Sequence, residues 1–297
     1  HTLGFDLECV NTFRGIYKMF NITKQEIQNS NKLQQTAKDW AYDNLEYLNK
    51  PMKLFGTSIK VRKGADKFDT YIIYFQPSDK VSVKTLCAGA DASGCKRDCL
   101  ISSGQLGMTL GQSATTKKTI LYLLRNDWFN QQLLIEIDKA ESKAKRTGTP
   151  ALFRLNGTSD IDFEYIIRQR PDSMFYDYTK MLNRISKNTL NNYDLTFSGS
   201  MYTKQSRNIL RKAVQRNHRI AMAFNTKNLN DDALQLPKSI LSFDNTDLRH
   251  LDARDAVGHL KRKGSNKLQR QQENKVFNSF FVTLKNLKEF NNIIQGN

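Results

Sequence analysis

The chain has 297 residues, of which 39% are hydrophobic and 25% charged, an ordinary globular composition with enough apolar material for one large core or two of moderate size. No stretch approaches the roughly 18 consecutive apolar residues of a membrane span, and no charged leader followed by an apolar run opens the sequence, so neither a membrane span nor a secretory signal is expected. Lys and Arg number 46 against 29 Asp and Glu, a net charge of +17; with no long basic amphipathic helix beside it, this excess points to a polyphosphate partner rather than to a membrane surface.

Apolar residues at helical spacing between Ile22 and Leu48 (Leu33, Ala37, Trp40, Ala41, Leu45, Leu48) predict a helical segment stopped by Pro51. Residues 58–62 (SIKVR) and 69–75 (DTYIIYF) read as strands around a turn at Lys63-Gly64-Ala65, so residues 1–80 are expected to form a helix and β-hairpin extension. The string "CAGADASGCKRDC" then places Cys87, Cys95 and Cys99 within thirteen residues, with the fourth cysteine, Cys9, far away. Four cysteines in a chain of this length do not make a disulfide scaffold, and a reducing, intracellular compartment is expected. The spacing C-x7-C-x3-C differs from the paired C-x2-C knuckles of a zinc ribbon and from the C-x3-C-x2-C of radical S-adenosylmethionine enzymes. Three thiolates in a loop rich in Gly and Ala suit a zinc ion completed by His218, His250 or His259, or an iron–sulfur cluster with one open iron; without either they are free thiols. Lys96 and Arg97, next to the cysteines, favour thiolate.

From Lys117 to Lys145 the stripe Ile120, Leu123, Leu124, Phe129, Leu133, Leu134 and Ile137 predicts one or two helices. Strands are expected at 151–155 (ALFRL), 173–178 (SMFYDY), 193–197 (YDLTF), 219–224 (RIAMAF) and 239–243 (SILSF), with helical stretches at 162–170, 179–187 and 201–217. Short apolar strands alternating with helices predict an α/β fold of parallel βα repeats, TIM-barrel-like, whether closed or irregular and incomplete. Residues 81–270 are expected to form this catalytic-type domain with its cysteine loop, and residues 271–297 a C-terminal segment packing on it.

Each expected strand ends in small polar groups: Asn156, Thr158 and Asp160; Asp177 and Thr179; Ser198 and Ser200; Asn225 and Thr226; Asp244, Asn245 and Asp247. In parallel α/β folds ligands bind beyond the carboxyl ends of the strands, although the same residue types also cap the helices that follow. Five such ends in succession, and the added acid of Asp162 and Glu164, exceed what capping needs. Asp177 is the most pointed case: between the aromatics of "FYDYTK" a buried carboxylate requires donors, a cation or a raised pKa. "KQSRNILRKAVQRNHR" puts Lys204, Arg207, Arg211, Lys212, Arg216 and Arg219 on an expected helix, several on one face, as a phosphate-tracking surface requires. Lys261, Arg262, Lys263 and Lys267 in "HLKRKGSNKLQR" read as a mobile loop over nucleic acid. Tyr202, Phe224 and Phe243 are candidate stacking partners for an unpaired base, or core.

The strings "GCKRDCLISSG", "ALFRLNGTSDIDFE", "MFYDYTK", "DLTFSGS" and "DNTDLRHLDARDAVGHLKRKG", in that order from about Cys87 to Gly264, resemble a family of bacteriophage proteins of which one branch carries the name gene product 88. The resemblance implies a phage-encoded protein in the cytoplasm of the infected host. In architecture, not in motif, the chain is similar to the barrel transglycosylases that exchange guanine for a 7-deazaguanine, where one aspartate attacks the sugar C1′ and a second moves protons. Those enzymes carry a C-x-C-x2-C plus His zinc site late in the chain, whereas the cysteines here come early. The leading expectation is therefore a DNA base-modifying enzyme that takes its target base out of the stack, with DNA and a small-molecule base as partners. Asp160 and Asp177 would lie near the chemistry, Asp244 or Asp247 would be the alternative nucleophile, and Asn156, Ser198 and Asn225 would bind the base. Two other classes remain open: an iron–sulfur, radical-type enzyme working through Cys87, Cys95 and Cys99, and a non-enzymatic DNA-binding replication accessory needing only the basic helix and loop.

Overall fold

Local signals set the amino-terminal elements of the computed structural model, which describes residues 21–56, 67–77, 79–102, 104–226, 240–263 and 267–296. Thr23 caps α1 (Lys24–Asn29) through a reciprocal capping box with Glu26. The helical stretch expected up to Leu48 is divided into α1, α2 (Gln35–Asp43) and α3 (Leu45–Asn49). The first break has a physical cause. Lys32–Gln34 pair with Val81–Val83 through Gln34 N to Val81 O (2.8 Å) and Val83 N to Lys32 O (2.8 Å), which extends the chain between the helices. Ile27, Leu33, Ala37, Ala41 and Leu48 are buried against the long helices α4 (Thr109–Leu124) and α5 (Asn126–Thr147). Arg125, with a non-helical backbone (φ −134°, ψ 51°), separates those two helices and anchors to Glu26 at 2.6 Å.

Among the described residues the sheet has seven strands, all parallel: β1 (Asp69–Ile72), β2 (Ala151–Arg154), β3 (Met174–Thr179), β4 (Tyr193–Ser198), β5 (Ile220–Phe224), β6 (Leu241–Ser242) and β7 (Val257–Lys261). Their spatial order is β1-β2-β3-β4-β5-β7-β6, and the sheet curls into a half-barrel, an incomplete TIM-like architecture. The crossovers from β2 to β5 carry α6 (Glu164–Arg168), α7 (Leu182–Lys187) and α8 (Lys204–Gln215). After β7 come α9 (Lys267–Glu273) and α10 (Leu287–Ile294). The strand expected at 69–75 enters this parallel sheet as β1, while its expected hairpin partner at 58–62 lies outside the described residues. Of the residues expected in a mobile loop, Lys261 instead ends β7, which is paired with β5 on one side and β6 on the other, and Lys267 opens α9.

Alternation along each strand sorts side chains onto two faces. Phe153, Phe175 and Tyr193 pack under α4, α5 and α6; Phe197, Ile220, Met222 and Phe224 pack under α8 and α10. The inner face carries Leu152 and Tyr176 with Leu248, and Ala221 with Phe243 and Ala256. Residues 243–256 thus fill the inside of the half-barrel. Because all strands run one way, all seven carboxyl ends lie on one edge.

Candidate active site at the carboxyl edge of the sheet

The string "RLNGTSD" ties three strand ends together. Gly157 N donates to Ile73 O (2.9 Å), and Phe75 and Thr158 exchange two hydrogen bonds, Phe75 N to Thr158 Oγ1 (3.0 Å) and Thr158 Oγ1 to Phe75 O (2.6 Å). A Cβ at residue 157 would lie 2.6 Å from both the Ile73 carbonyl and the Tyr74 ring, so only glycine permits this approach. Asn156 is buried; its Oδ1 accepts from Ser159 Oγ (2.8 Å) and Ile161 N (2.7 Å), and its backbone N and Nδ2 donate to Asp177 at 2.8 and 3.1 Å.

Asp177 receives a further bond from Tyr193 OH (3.0 Å). Burial raises its pKa to about 6, against the opposing pull of Arg154, Asn156 and Tyr193. Asp160 accepts from Thr179 Oγ1 (3.0 Å) and Lys180 N (2.9 Å) and pairs with Arg184, whose other nitrogen donates to Tyr193 OH (3.2 Å). Asp160 and Asp177 are therefore joined through Arg184 and Tyr193. Asp247 is separate: on the inner face it meets Arg154 (2.8 Å) and Tyr176 OH (3.0 Å). Asp244 accepts from Lys261 N at 2.8 Å. Ser198 receives the Lys180 ammonium at 2.9 Å, and Asn225 accepts from Arg262 at 2.9 Å while donating to Arg270 O and Asn274 at 2.7 and 2.8 Å. The expected acidic group is thus divided between the two faces of the sheet, because residues 176 and 177 alternate.

The cysteine loop follows β1 and lies along this edge. Asp160 N donates to Leu86 O (2.9 Å); Ser200 Oγ to Ser93 O (2.7 Å); Ser206 Oγ to Ala92 O (2.8 Å); and Arg262 to Asp98 (2.7 Å). Gly94 has φ +70° and presses on the Tyr202 ring, which a Cβ would approach to 2.5 Å. The ends of β2, β4 and β7 and the start of α8 thereby grip residues 86–98. Cys87, Cys95 and Cys99 are free and half-buried. Burial, then Cys95 and Asp160, push the Cys87 thiol up to about 12, with Lys180 opposing; burial also raises Cys99. The three thiols are electrostatic neighbours, yet among the described residues no three His, Cys, Asp or Glu side chains converge as a formed metal site does.

The imidazoles lie elsewhere. His218 precedes β5 at the amino edge, His250 packs on Phe68 with Asp194 and Arg219 nearby, and His259 lies within β7 against Phe224. The topology sets His218 and His250 at the opposite end from the cysteine loop.

The family model described as Gene product 88 matches residues 24–278. This chain belongs to the gene product 88 family, a family of phage proteins. No curated protein and no solved structure matches it. In this gene product 88 chain much of the basic character is spent internally. Arg207 is buried on Met201 O (2.8 Å), Asn278 (3.0 Å) and Glu289 (3.3 Å); Arg211 pairs with Glu289 (3.0 Å), and Arg216 reaches Ser186 (3.1 Å). Arg207 and Arg211 share a helix face, but that face holds α10. Lys204 and Lys212 are exposed; Lys261 lies in β7; the Arg262 side chain is buried; and Lys263 stands 3.8 Å from Asp244. The residues that sequence reasoning missed are Lys180, Arg184, Tyr193 and Arg154. Only Arg154, a lone charge inside an apolar strand, carries a visible signal.

Proposed function

We propose that this phage protein is an iron–sulfur enzyme whose cluster is held by Cys87, Cys95 and Cys99 on the carboxyl edge of the half-barrel. One observation carries the reading: three free thiols, electrostatic neighbours though not converged as in a formed site, lie in the loop after β1, and that loop is pinned along the strand ends where parallel α/β folds bind ligands. The donor chemistry fits. Three soft sulfur ligands without an imidazole suit iron–sulfur better than a four-coordinate zinc site. The raised pKa of the Cys87 thiol has the same sense, since burial resists its ionisation and outweighs the pull of Lys180, and a bound metal cation would favour the thiolate. Bound by three thiolates, such a cluster supplies one-electron chemistry at its open iron. The chain's own contributions are Lys180, fixed by Ser198 beside Cys87, and Asp160, whose backbone N–H sets the start of the loop.

Anaerobic purification with iron and sulfide analysis tests this. A brown protein with equal iron and acid-labile sulfide is expected, and Cys87→Ala, Cys95→Ala and Cys99→Ala should each lose both. A colourless protein that takes up only zinc, or nothing, overturns the reading. Guanine exchange by an aspartate has less support, because Asp160, Asp177, Asp244 and Asp247 all hold neighbouring groups rather than an open position. A change in DNA base composition that survives loss of the cysteines but not of these aspartates would reverse that ranking.

A further inference from the structure

The edge that bears the cysteine loop also collects exposed aromatic rings and unpaired positive charge. Tyr202, after β4, is 40% exposed, with its ring set against Gly94 of the loop. Phe277, after α9, is 38% exposed, and the Arg207 guanidinium lies 5.1 Å over its ring. Arg207 also binds the carbonyl of Met201 and the side chain of Asn278, so it holds both aromatics in one neighbourhood. Around them, Lys204 opens α8, Lys267 opens α9 and Lys275 follows it. All three are exposed, and none has an ion-pair partner among the described residues. Residues 261–285 hold seven Lys and Arg against the single acid Glu273. Glu273 itself reaches back to Arg97, next to the cysteines, at 2.9 Å, which fixes α9 beside the loop.

We infer that this edge binds single-stranded nucleic acid. Phosphates would lie on Lys204, Lys267 and Lys275, and unpaired bases would stack on Tyr202 and Phe277, so that the strand crosses the cysteine loop. Exposed rings beside a basic track select a strand whose bases are free; a duplex presents its phosphates but hides its base faces. As a statement about the substrate of the cysteine loop, the inference rests on the iron–sulfur reading; as a statement about binding, it does not.

Fluorescence anisotropy with a labelled oligothymidine and a duplex of equal length tests it. The single strand should bind more tightly, with an affinity that falls linearly in log–log against salt. Replacing Lys204, Lys267 and Lys275 together by Gln should reduce that slope by about 2, at roughly 0.7 per contact. Phe277→Ala, and Tyr202→Leu, which keeps an apolar side chain against Gly94, should each weaken binding about five- to a hundredfold with unchanged thermal midpoints. Equal or tighter duplex binding, indifference to both aromatic substitutions, or no binding at all overturns it. A photoreactive thymidine strand should cross-link to peptides of residues 87–99; cross-links confined to other peptides remove the strand from the loop. The two readings fail separately. Strand binding by a protein that never takes up iron defeats only the cluster, and a loaded cluster without strand binding defeats only this inference.

Discussion

Asp177 shows how one carboxylate can be held at odds with its surroundings. Three donors, Asn156 N, Asn156 Nδ2 and Tyr193 OH, favour its charge, yet complete burial wins and raises its pKa from 3.8 to about 6. A folded-state pKa above the unfolded one means that the native protein holds more protons than the unfolded chain between those values. The contribution of Asp177 to stability is therefore full below about 3.8 and is lost as pH rises through about 6. Asp177→Asn removes this dependence and leaves one donor facing an amide, a loss of about 1–3 kcal/mol. The gap between wild type and variant in urea unfolding should be wider at pH 4.5 than at pH 7.5, by about 2 kcal/mol. A gap that is constant or widens toward pH 7.5 contradicts the raised pKa. The need for partners was legible in "FYDYTK", and Asn156 was marked by its own string. Tyr193 and Arg184 were not, because nothing in sequence spacing shows that a side chain from β4 and one from α7 reach the carboxylates of Asp177 and Asp160.

Among the elements, β2 to β5 were readable because each is a short apolar run bounded by polar turns, and the structure places each within a few residues of its expected bounds. Strand β7 escaped notice because Gly258, His259 and Lys261 interrupt any apolar run, although its backbone groups complete the ladder to β5. The basic helix was legible as a helix but not in its orientation, since Glu289, which turns the Arg207 and Arg211 face inward, lies some eighty residues away. The same applies to the cysteine loop. Its composition was plain, whereas its seat depends on Ser200, Tyr202 and Arg262, from distant strand ends. Gly94 is the most exacting point of that seat, combining a left-handed φ with contact against a ring. Gly94→Ala should cost about 1–3 kcal/mol locally and detach the loop. With Cys87 raised to about 12, that thiol should label slowly at pH 8 in the wild type; in the variant it should react about tenfold faster or more, with the thermal midpoint little changed. Unaltered labelling kinetics would mean that the loop does not depend on this contact.

At the scale of the molecule, two apolar clusters lie under one face of one sheet. The first gathers α1 to α6 under β2 and β3, and the second gathers α8 and α10 under β4 and β5. Between them, β3 and β4 stay in register over five residue pairs, from Phe175 with Tyr193 to Thr179 with Phe197. Separating the clusters would strip that ladder and expose the buried Asp177–Tyr193 contact, so the two halves should unfold together. Phe290 tests this from the far end. It is fully buried in α10, edge-on to Phe224 at 5.4 Å, and Phe290→Ala should cost about 3–5 kcal/mol through lost burial and the cavity left behind. Both tryptophans, Trp40 and Trp128, belong to the first cluster, so their fluorescence reports on the half that the substitution does not touch. In one cooperative unit, the urea midpoint followed by tryptophan fluorescence falls by the same amount as the midpoint followed by far-ultraviolet dichroism. If fluorescence keeps its wild-type midpoint while dichroism loses part of its amplitude early, the β3–β4 ladder does not couple the halves, and the cysteine loop, gripped from both, would be released as soon as the carboxyl-terminal half opens.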